Sequence, residues 1–374
     1  MKQALAQARH ALGRAFPNPA VGAIVFRGAR VLGRGYTRPP GGPHAEIVAL
    51  RRARRRVGER GLHGATLAVT LEPCCFTGRT GPCTDALIEA RVGRVLIGQR
   101  DPHPRVRGRG IRRLRAAGIE VSVGVLGDAC REQHRGFFSA IERGRPYVSL
   151  KLAATLDGRN ATARGESRWI TGAAARAWVH RLRSRSDAVM VGSGTVLADD
   201  PDLSARRAGR VVHRPVRVLV DSALRVPPSA RLYRTARRHP TWVLCTHRAA
   251  AQRGAVLERR GARVLVVPAE RGKLRLPAAL ARLAAEGLTT VLVEGGGGLA
   301  SALLRARQVD ELYWLVSGKL LGADAVPALA ELGVARLREA LALDRPRVRR
   351  LGEDLLIAGR LAPSGHAQRT GRGG

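Results

Sequence analysis

The sequence predicts an α/β protein built as two domains, and three observations carry that reading. The chain has 374 residues, more than one unit of ordinary size requires. A strand-like alternation restarts at Tyr147-Val-Ser-Leu-Lys-Leu-Ala153, after the polar stretch Glu142–Pro146. From there apolar runs and helical periodicities take turns, the pattern of a mainly parallel sheet. The expected division is residues 1–143, residues 146–362, and a polar, glycine-rich tail at 363–374 that is expected to be disordered.

Met1–Ala15 opens on an amphipathic helical pattern without a central apolar block, so no secretory signal is expected. Ala20–Phe26 and Val31–Tyr36 read as a β-hairpin. His44–Val57 reads as a helix with apolar Ile47, Val48, Leu50 and Ala53, and its basic run Arg51–Arg56 falls on the solvent face. Ala65–Leu71 reads as a buried strand and Thr84–Ala90 as the next helix. In the second domain the candidate strands are Ala188–Val191, Val216–Val220, Trp242–Cys245, Val264–Val267, Val291–Glu294 and Glu311–Val316. Val348–Arg350 and Leu355–Leu361 read as an antiparallel closing pair. No apolar run approaches the roughly eighteen residues that span a bilayer.

The first domain carries His44-Ala45-Glu46, then Pro73-Cys74, then Cys83 after eight intervening residues. One imidazole and two thiolates make three ligands for a tetrahedral zinc, with the fourth position left for water, which marks a catalytic site. Zinc lowers the pKa of such a water toward about 7. Glu46, just past the histidine, is placed to shuttle a proton without binding metal. Both ligand groups fall at or near predicted helix N-termini, where the backbone dipole favours thiolate.

These elements resemble the zinc nucleobase deaminases. Members that edit nucleic acid usually place two residues between the paired cysteines. The longer loop here, with its Gly78-Arg79-Thr80-x-Pro82-Cys83 run, is similar to the riboflavin-biosynthesis pyrimidine deaminases. The resemblance extends to Pro17-Asn18-Pro19-x-Val21-Gly22, with Asn18 either a donor to the ring or an ordinary turn residue between two prolines, and to Asp101-Pro102-x-Pro104 with Gly108-x-Gly110. Thr37 and Phe76 stand where that family often carries histidine. Neither is a ligand or the proton shuttle, and they leave open an impaired deaminase half.

Three segments of the second domain are similar to the reductase half of the same pathway, a relative of the dihydrofolate reductase fold that uses NADPH. They are Lys151–Arg159 with Gly165-Glu-Ser167-x-Trp169-Ile-Thr171, Asp187–Arg206, and Val293-Glu294 running into Gly295–Gly298 and Leu299. The resemblance covers about residues 4–361. It implies a cytidine-deaminase-like three-layer domain followed by a dihydrofolate-reductase-like α/β domain. It implies NADPH near Ala153, Trp169, Thr195, Asp199, Ser222, Gly296, Gly297, Gly298 and Leu299. It implies the ribosyl phosphate substrate near Ser167, Arg183, Leu203, Arg206 and Glu294. Lys151 is either a polar group at the reacting sugar or a strand lysine on a surface edge. The glycine run fits a dinucleotide fingerprint only in part, since no acid ends the following strand about twenty residues on. Exposed backbone N–H groups at a helix N-terminus still suit a phosphate, the alternative being a flexible loop.

The formal net charge is +37, from 66 basic against 29 acidic residues. Alone that suggests nucleic acid. However, only Lys2, Lys151, Lys273 and Lys319 are lysines, and the arginines are spread throughout without aromatic interleaving. No specific nucleic-acid partner is therefore expected. Five cysteines do not make a disulfide framework. Cys75, Cys130 and Cys245 read as small buried or partly buried residues, and a reducing cytoplasm suits the thiolate ligands. The implied protein is a bifunctional zinc deaminase and NADPH reductase, expected as a homo-oligomer. The rival readings are a nucleic-acid-editing deaminase and a reductase with a degenerate deaminase half.

Overall fold

The computed structural model describes residues 1–78 and 81–362; Arg79, Thr80 and the tail at 363–374 lie outside the described residues. The chain separates into two units, one of Met1–Pro146 with Gly287–Thr289, the other of Tyr147–Glu286 with the chain from Thr290 on.

In the first unit, β1 (Gly22–Arg27) and β2 (Arg30–Tyr36) form the antiparallel hairpin, turned at Gly28 with φ +53°. β3 (Thr66–Leu71) pairs antiparallel with β1. β4 (Arg94–Gln99) and β5 (Glu120–Val123) then add in parallel, giving the order β2-β1-β3-β4-β5. The helices are α1 (Lys2–Ala8), α2 (Ala45–Val57), α3 (Cys83–Glu89), α4 (Arg109–Ala116), α5 (Gly127–Gln133) and α6 (Arg135–Arg143). The N-terminal helix is shorter than its amphipathic pattern, because after Ala8 the chain passes into turns. β4, β5, α4, α5 and α6 are elements the sequence reading did not pick out.

Small residues set where α2 sits. A Cβ on Gly33 would lie 2.1 Å from the Ala49 carbonyl oxygen, and one on Gly35 2.0 Å from that of Ala45. Helix backbone therefore rests directly on strand backbone, and this contact seats the N-terminus of α2. Arg52 and Arg56, on the solvent side of α2, donate to the Arg34 and Val31 carbonyls at 3.0 Å each. They cover acceptors on a strand that ends the sheet. Leu67, Val69, Leu87, Val95, Ile97 and Leu114 form the centre of the core.

The second unit is built on a nine-stranded sheet. Its strands are β6 (Tyr147–Thr155), β7 (Ala188–Gly192), β8 (Val216–Val220), β9 (Thr241–Cys245), β10 (Arg263–Val266), β11 (Thr290–Glu294), β12 (Glu311–Ser317), β13 (Leu343–Leu351) and β14 (Asp354–Leu361). The order is β10-β9-β8-β7-β11-β6-β12-β14-β13. All pairings are parallel up to β12. β14 and β13 then close the sheet antiparallel. β6 is central, with Lys151 opposite Glu294 of β11 and Tyr313 of β12. The surface-edge alternative for Lys151 is thereby removed.

Arg217, on β8, is fully buried. It donates to the Thr241 and Thr235 hydroxyls and to the Leu232 and His239 carbonyls at 2.6–3.0 Å. Every one of these acceptors is neutral, and burial pulls the guanidinium down to about 10. Removing it strands several buried acceptors at once, each of which costs about 1–3 kcal/mol. Arg217→Met is expected to lower stability by about 3 kcal/mol, or roughly 6–12 °C in a melting midpoint. Calorimetry checks this, and an unchanged midpoint contradicts it.

Candidate active sites in the two units

The loop from β3 and the starts of α2 and α3 bring three donors of the first unit together. His44 is the N-cap of α2, with extended backbone. Cys83 is the first residue of α3. Cys74 follows the end of β3, and its sulfur accepts the Cys83 N–H at 3.3 Å. His44 Nδ1 lies 3.5 Å from Cys74 Sγ and 3.3 Å from Cys83 Sγ, and all three donor atoms fall within 4.8 Å of one another. Among the described residues this is the one group of its kind.

The charges in this triad are organised. A hydrogen bond from Cys83, helped by His44, holds the Cys74 thiol down to about 4 against burial. A hydrogen bond to Cys74 raises His44 to about 9, and Cys83 is pushed well up by its bond to the Cys74 thiolate and by burial. A divalent cation held here would meet one nitrogen and two sulfurs, a donor set that fits zinc. Glu46 is buried in the first turn of α2. Burial pushes its carboxyl up to about 7, against the pull of His44.

Glu72, which the sequence reading passed over, braces the loops around the triad. Its buried carboxylate accepts from the Asp101, Gly108 and Ile111 N–H groups at 3.0–3.2 Å. The only signal was an acid closing the apolar run Ala65–Leu71. A Cβ on Gly110 would sit 2.2 Å from the Pro73 carbonyl oxygen, so the two loops touch through backbone. Thr37 is buried, and its hydroxyl accepts the Val21 N–H at 3.0 Å. Phe76 stacks on His103 with ring centroids 6.3 Å apart, and the Arg105 guanidinium lies 3.9 Å above it. Neither side chain belongs to the donor triad. Cys75 is partly exposed, whereas Cys130 and Cys245 are buried.

In the second unit, three of the expected substrate residues converge. Arg183 ends the helix Ala173–Arg183 (α7). It donates from Nε and Nη2 to the two carboxylate oxygens of Glu294 at 2.6 and 2.9 Å, and from Nη1 to the Ser204 carbonyl. Burial opposes ionisation of Glu294, but Arg183 and Lys151 outweigh it and hold the carboxyl below its ordinary range. Burial lowers Lys151, with Glu294 opposing. The Arg206 N–H donates to His180 Nδ1 at 3.2 Å, and its guanidinium donates to Asp202 at 2.7 Å. Ser167 stays outside these bonds. The Leu203 side chain is in the hydrophobic core, so only its backbone, at φ +60°, is left to face a ligand.

Five of the expected cofactor residues gather at the carboxyl ends of β7 and β11, where open α/β sheets bind ligands. Thr195 lies in the helix Ser193–Asp199 (α8), and its hydroxyl accepts the Gly296 N–H at 3.0 Å. Gly297, Gly298 and Leu299 form the first turn of the helix Gly297–Arg305 (α9). Asp199 accepts from Arg168 through its carbonyl at 3.0 Å, beside Trp169. Trp169 is 64% exposed, with the Arg176 guanidinium 4.4 Å from its ring centroid. Ala153 is partly buried against the apolar cluster that includes Val179 and Tyr313. Ser222, past the end of β8, accepts from Thr246 and is not tied to the others. Among the described residues no helix is long and apolar enough to cross a membrane.

Two families match the chain. The cytidine and deoxycytidylate deaminase zinc-binding region matches residues 1–99, and the RibD C-terminal domain matches residues 146–357. The riboflavin biosynthesis protein RibD of Aquifex aeolicus is 39% identical over 357 residues, 96% of each chain. That of Escherichia coli is 38% identical over 368 residues, 96% of this chain and 97% of its own. A solved RibD structure from Acinetobacter baumannii, 35% identical, has a TM-score of 0.85 over 97% of this chain and 98% of its own. A diaminohydroxyphosphoribosylaminopyrimidine deaminase/5-amino-6-(5-phosphoribosylamino)uracil reductase from Thermotoga maritima, 34% identical, has a TM-score of 0.82 over 97% of both chains.

Proposed function

The chain belongs to the RibD family, bifunctional deaminase–reductases of riboflavin biosynthesis that use zinc and NADPH, and from that premise we propose which residues carry each step. The reading of a nucleic-acid-editing deaminase falls away, because the relatives match across nearly the whole chain. The observation that carries the deaminase assignment is the His44, Cys74 and Cys83 donor set with buried Glu46 beside it. These three residues would hold zinc, which supplies Lewis acidity that makes water a nucleophile near neutral pH. Glu46 is placed to take a proton from the attacking water and to return it to the departing amine of the diaminopyrimidinone ribosyl phosphate, so one carboxyl serves in both directions.

Residues 146–362 carry the reduction, in this proposal, and residues 1–143 the deamination. NADPH supplies the hydride for C1 of the ring-opened ribosyl group. Thr195, Asp199, Ser222, Ala153, Trp169 and the turn Gly296–Leu299 bind it, with the first N–H groups of α9 facing phosphate. Ser167, Leu203 and Arg206 hold the substrate, while Arg183 keeps Glu294 ionised. Lys151, beside Glu294, serves the reacting sugar.

Two substitutions test these assignments. A Cβ on Gly296 has Thr195 Oγ1 at 3.8 Å as its nearest neighbour, so Gly296→Val fits the fold while placing bulk before the helix. It is expected to weaken NADPH in a fluorescence titration and to leave ammonia release unchanged; normal NADPH binding by the folded variant refutes the glycine turn as the site. Arg206→Ala is expected to raise the KM for the ribosyl phosphate by about 1.5–3 kcal/mol, roughly 10- to 150-fold, at unchanged NADPH affinity. An unchanged KM removes Arg206 from the substrate site.

We also read the protein as a cytoplasmic homo-oligomer without a specific nucleic-acid partner. The unpaired cysteines support the compartment, and the exposed edge strand β13, with Val348 outward, supports self-association. A monomer in light scattering contradicts the oligomer.

A further inference from the structure

Trp169 is one of the large apolar side chains left exposed, and so are Leu156 and Leu320. The three lie around one lysine. Lys319 Nζ donates to the Trp169 carbonyl at 2.7 Å, and the Lys319 carbonyl accepts the Leu156 N–H at 2.9 Å. Lys319 belongs to the loop that leaves the carboxyl end of β12, and that loop is fastened at a second point. The Asp157 carboxylate accepts the Leu321 and Gly322 N–H groups through Oδ2 at 3.0 and 2.8 Å, and the Thr155 hydroxyl through Oδ1 at 2.5 Å. Those bonds hold the Asp157 carboxyl down to about 2.

The contacts form a continuous chain. Asp157, in the turn after β6, fixes the backbone of residues 321 and 322. Lys319, two residues earlier, reaches across to the segment that carries the indole. On the other flank Arg168 donates to the Asp199 carbonyl at 3.0 Å, and Arg176 covers the ring at 4.4 Å. The backbone that carries this exposed indole is thus fastened on both flanks, and Arg176 alone covers the ring. Such pinning costs side-chain freedom on folding and is useful where a flat ring must later dock against it.

We propose that Asp157 and Lys319 are positioning residues of the reductase, holding Trp169 in place as a preformed wall for a ring of NADPH. The proposal rests on the reading of Trp169 as a cofactor residue. Neither Asp157 nor Lys319 touches the reacting atoms in this scheme. They set the order of the free site, so they affect how tightly NADPH binds and not how fast hydride moves once it is bound.

The test uses the full-length protein, with NADPH binding followed by fluorescence and the reductase followed by NADPH oxidation. Asp157→Ala and Lys319→Met are each expected to raise the NADPH dissociation constant about three- to tenfold, which is about 0.7–1.4 kcal/mol. kcat at saturating NADPH is expected to stay within about twofold, and zinc-dependent ammonia release to stay unchanged. Because both act along one path, the double variant is expected to be little worse than either single one. Lys319 is exposed, so its variant keeps the test informative if Asp157→Ala fails to fold. Trp169→Ala separates the two ideas. If it weakens NADPH while Lys319→Met leaves binding unchanged, the pinning is refuted and the cofactor site stands. If Trp169→Ala itself binds NADPH normally, the cofactor reading of Trp169 is wrong and the proposal goes with it. A fall in kcat at unchanged NADPH affinity also overturns it.

Discussion

Glu46→Gln is expected to abolish ammonia release, by about 10²–10⁴-fold or more, while zinc content and the reductase reaction on deaminated substrate stay near normal. The amide keeps the shape of the side chain and can neither take nor return a proton. Stability gives an internal control. Burial raises the Glu46 carboxyl to about 7 in the metal-free protein, above its unfolded value. The stability linked to this group is therefore fully present below the unfolded pKa and is lost as pH rises through about 7. At pH 8 the metal-free variant, with no charge to bury, is expected to melt no lower than the parent. Lost deamination with an unlowered midpoint assigns the defect to proton transfer. Equal loss of both activities contradicts separate sites.

Cys83→Ala is expected to take zinc from about one per chain to a small fraction of that, because two remaining donors hold the ion far more weakly than three. Cys83 is fully buried at the start of α3, and alanine suits a helix, so loss of metal need not mean loss of fold. Cys75→Ala is the matched control. That thiol faces the Arg105 carbonyl at 3.7 Å and lies outside the donor group, so zinc is expected to remain. Metal analysis of purified protein reads both outcomes. A parent protein grown with zinc and holding none refutes the metal assignment.

What was legible in the sequence was chemistry carried by short motifs and strands with a clean pattern. His44, Cys74 and Cys83 were readable because metal ligands must be particular residue types at workable spacings, and the structure brings their atoms together. The hairpin and the parallel strands showed because a buried strand has to be apolar. β5 was hidden because four residues, Glu120–Val123, leave little period to read. Glu72 was hidden for another reason. Its role is to accept from the backbone of residues 101–111, and a long-range bond to backbone leaves no mark on the partner's side chains. Arg217 was illegible in principle, since one buried arginine looks like any other in a chain so rich in them. Leu203 belonged to a motif, yet its side chain went to the core. A family motif marks a position and does not say which atoms of it face the ligand.

The Cys83 N–H to Cys74 sulfur bond, together with the Thr84 N–H to the Cys74 carbonyl at 3.1 Å, clips Cys74 directly to the first turn of α3. The two sulfur donors are thus held to one another through backbone at the start of α3. The donor geometry is therefore a property of one helix start, and two sulfurs already held together lose less freedom when a cation arrives than two that must first find each other.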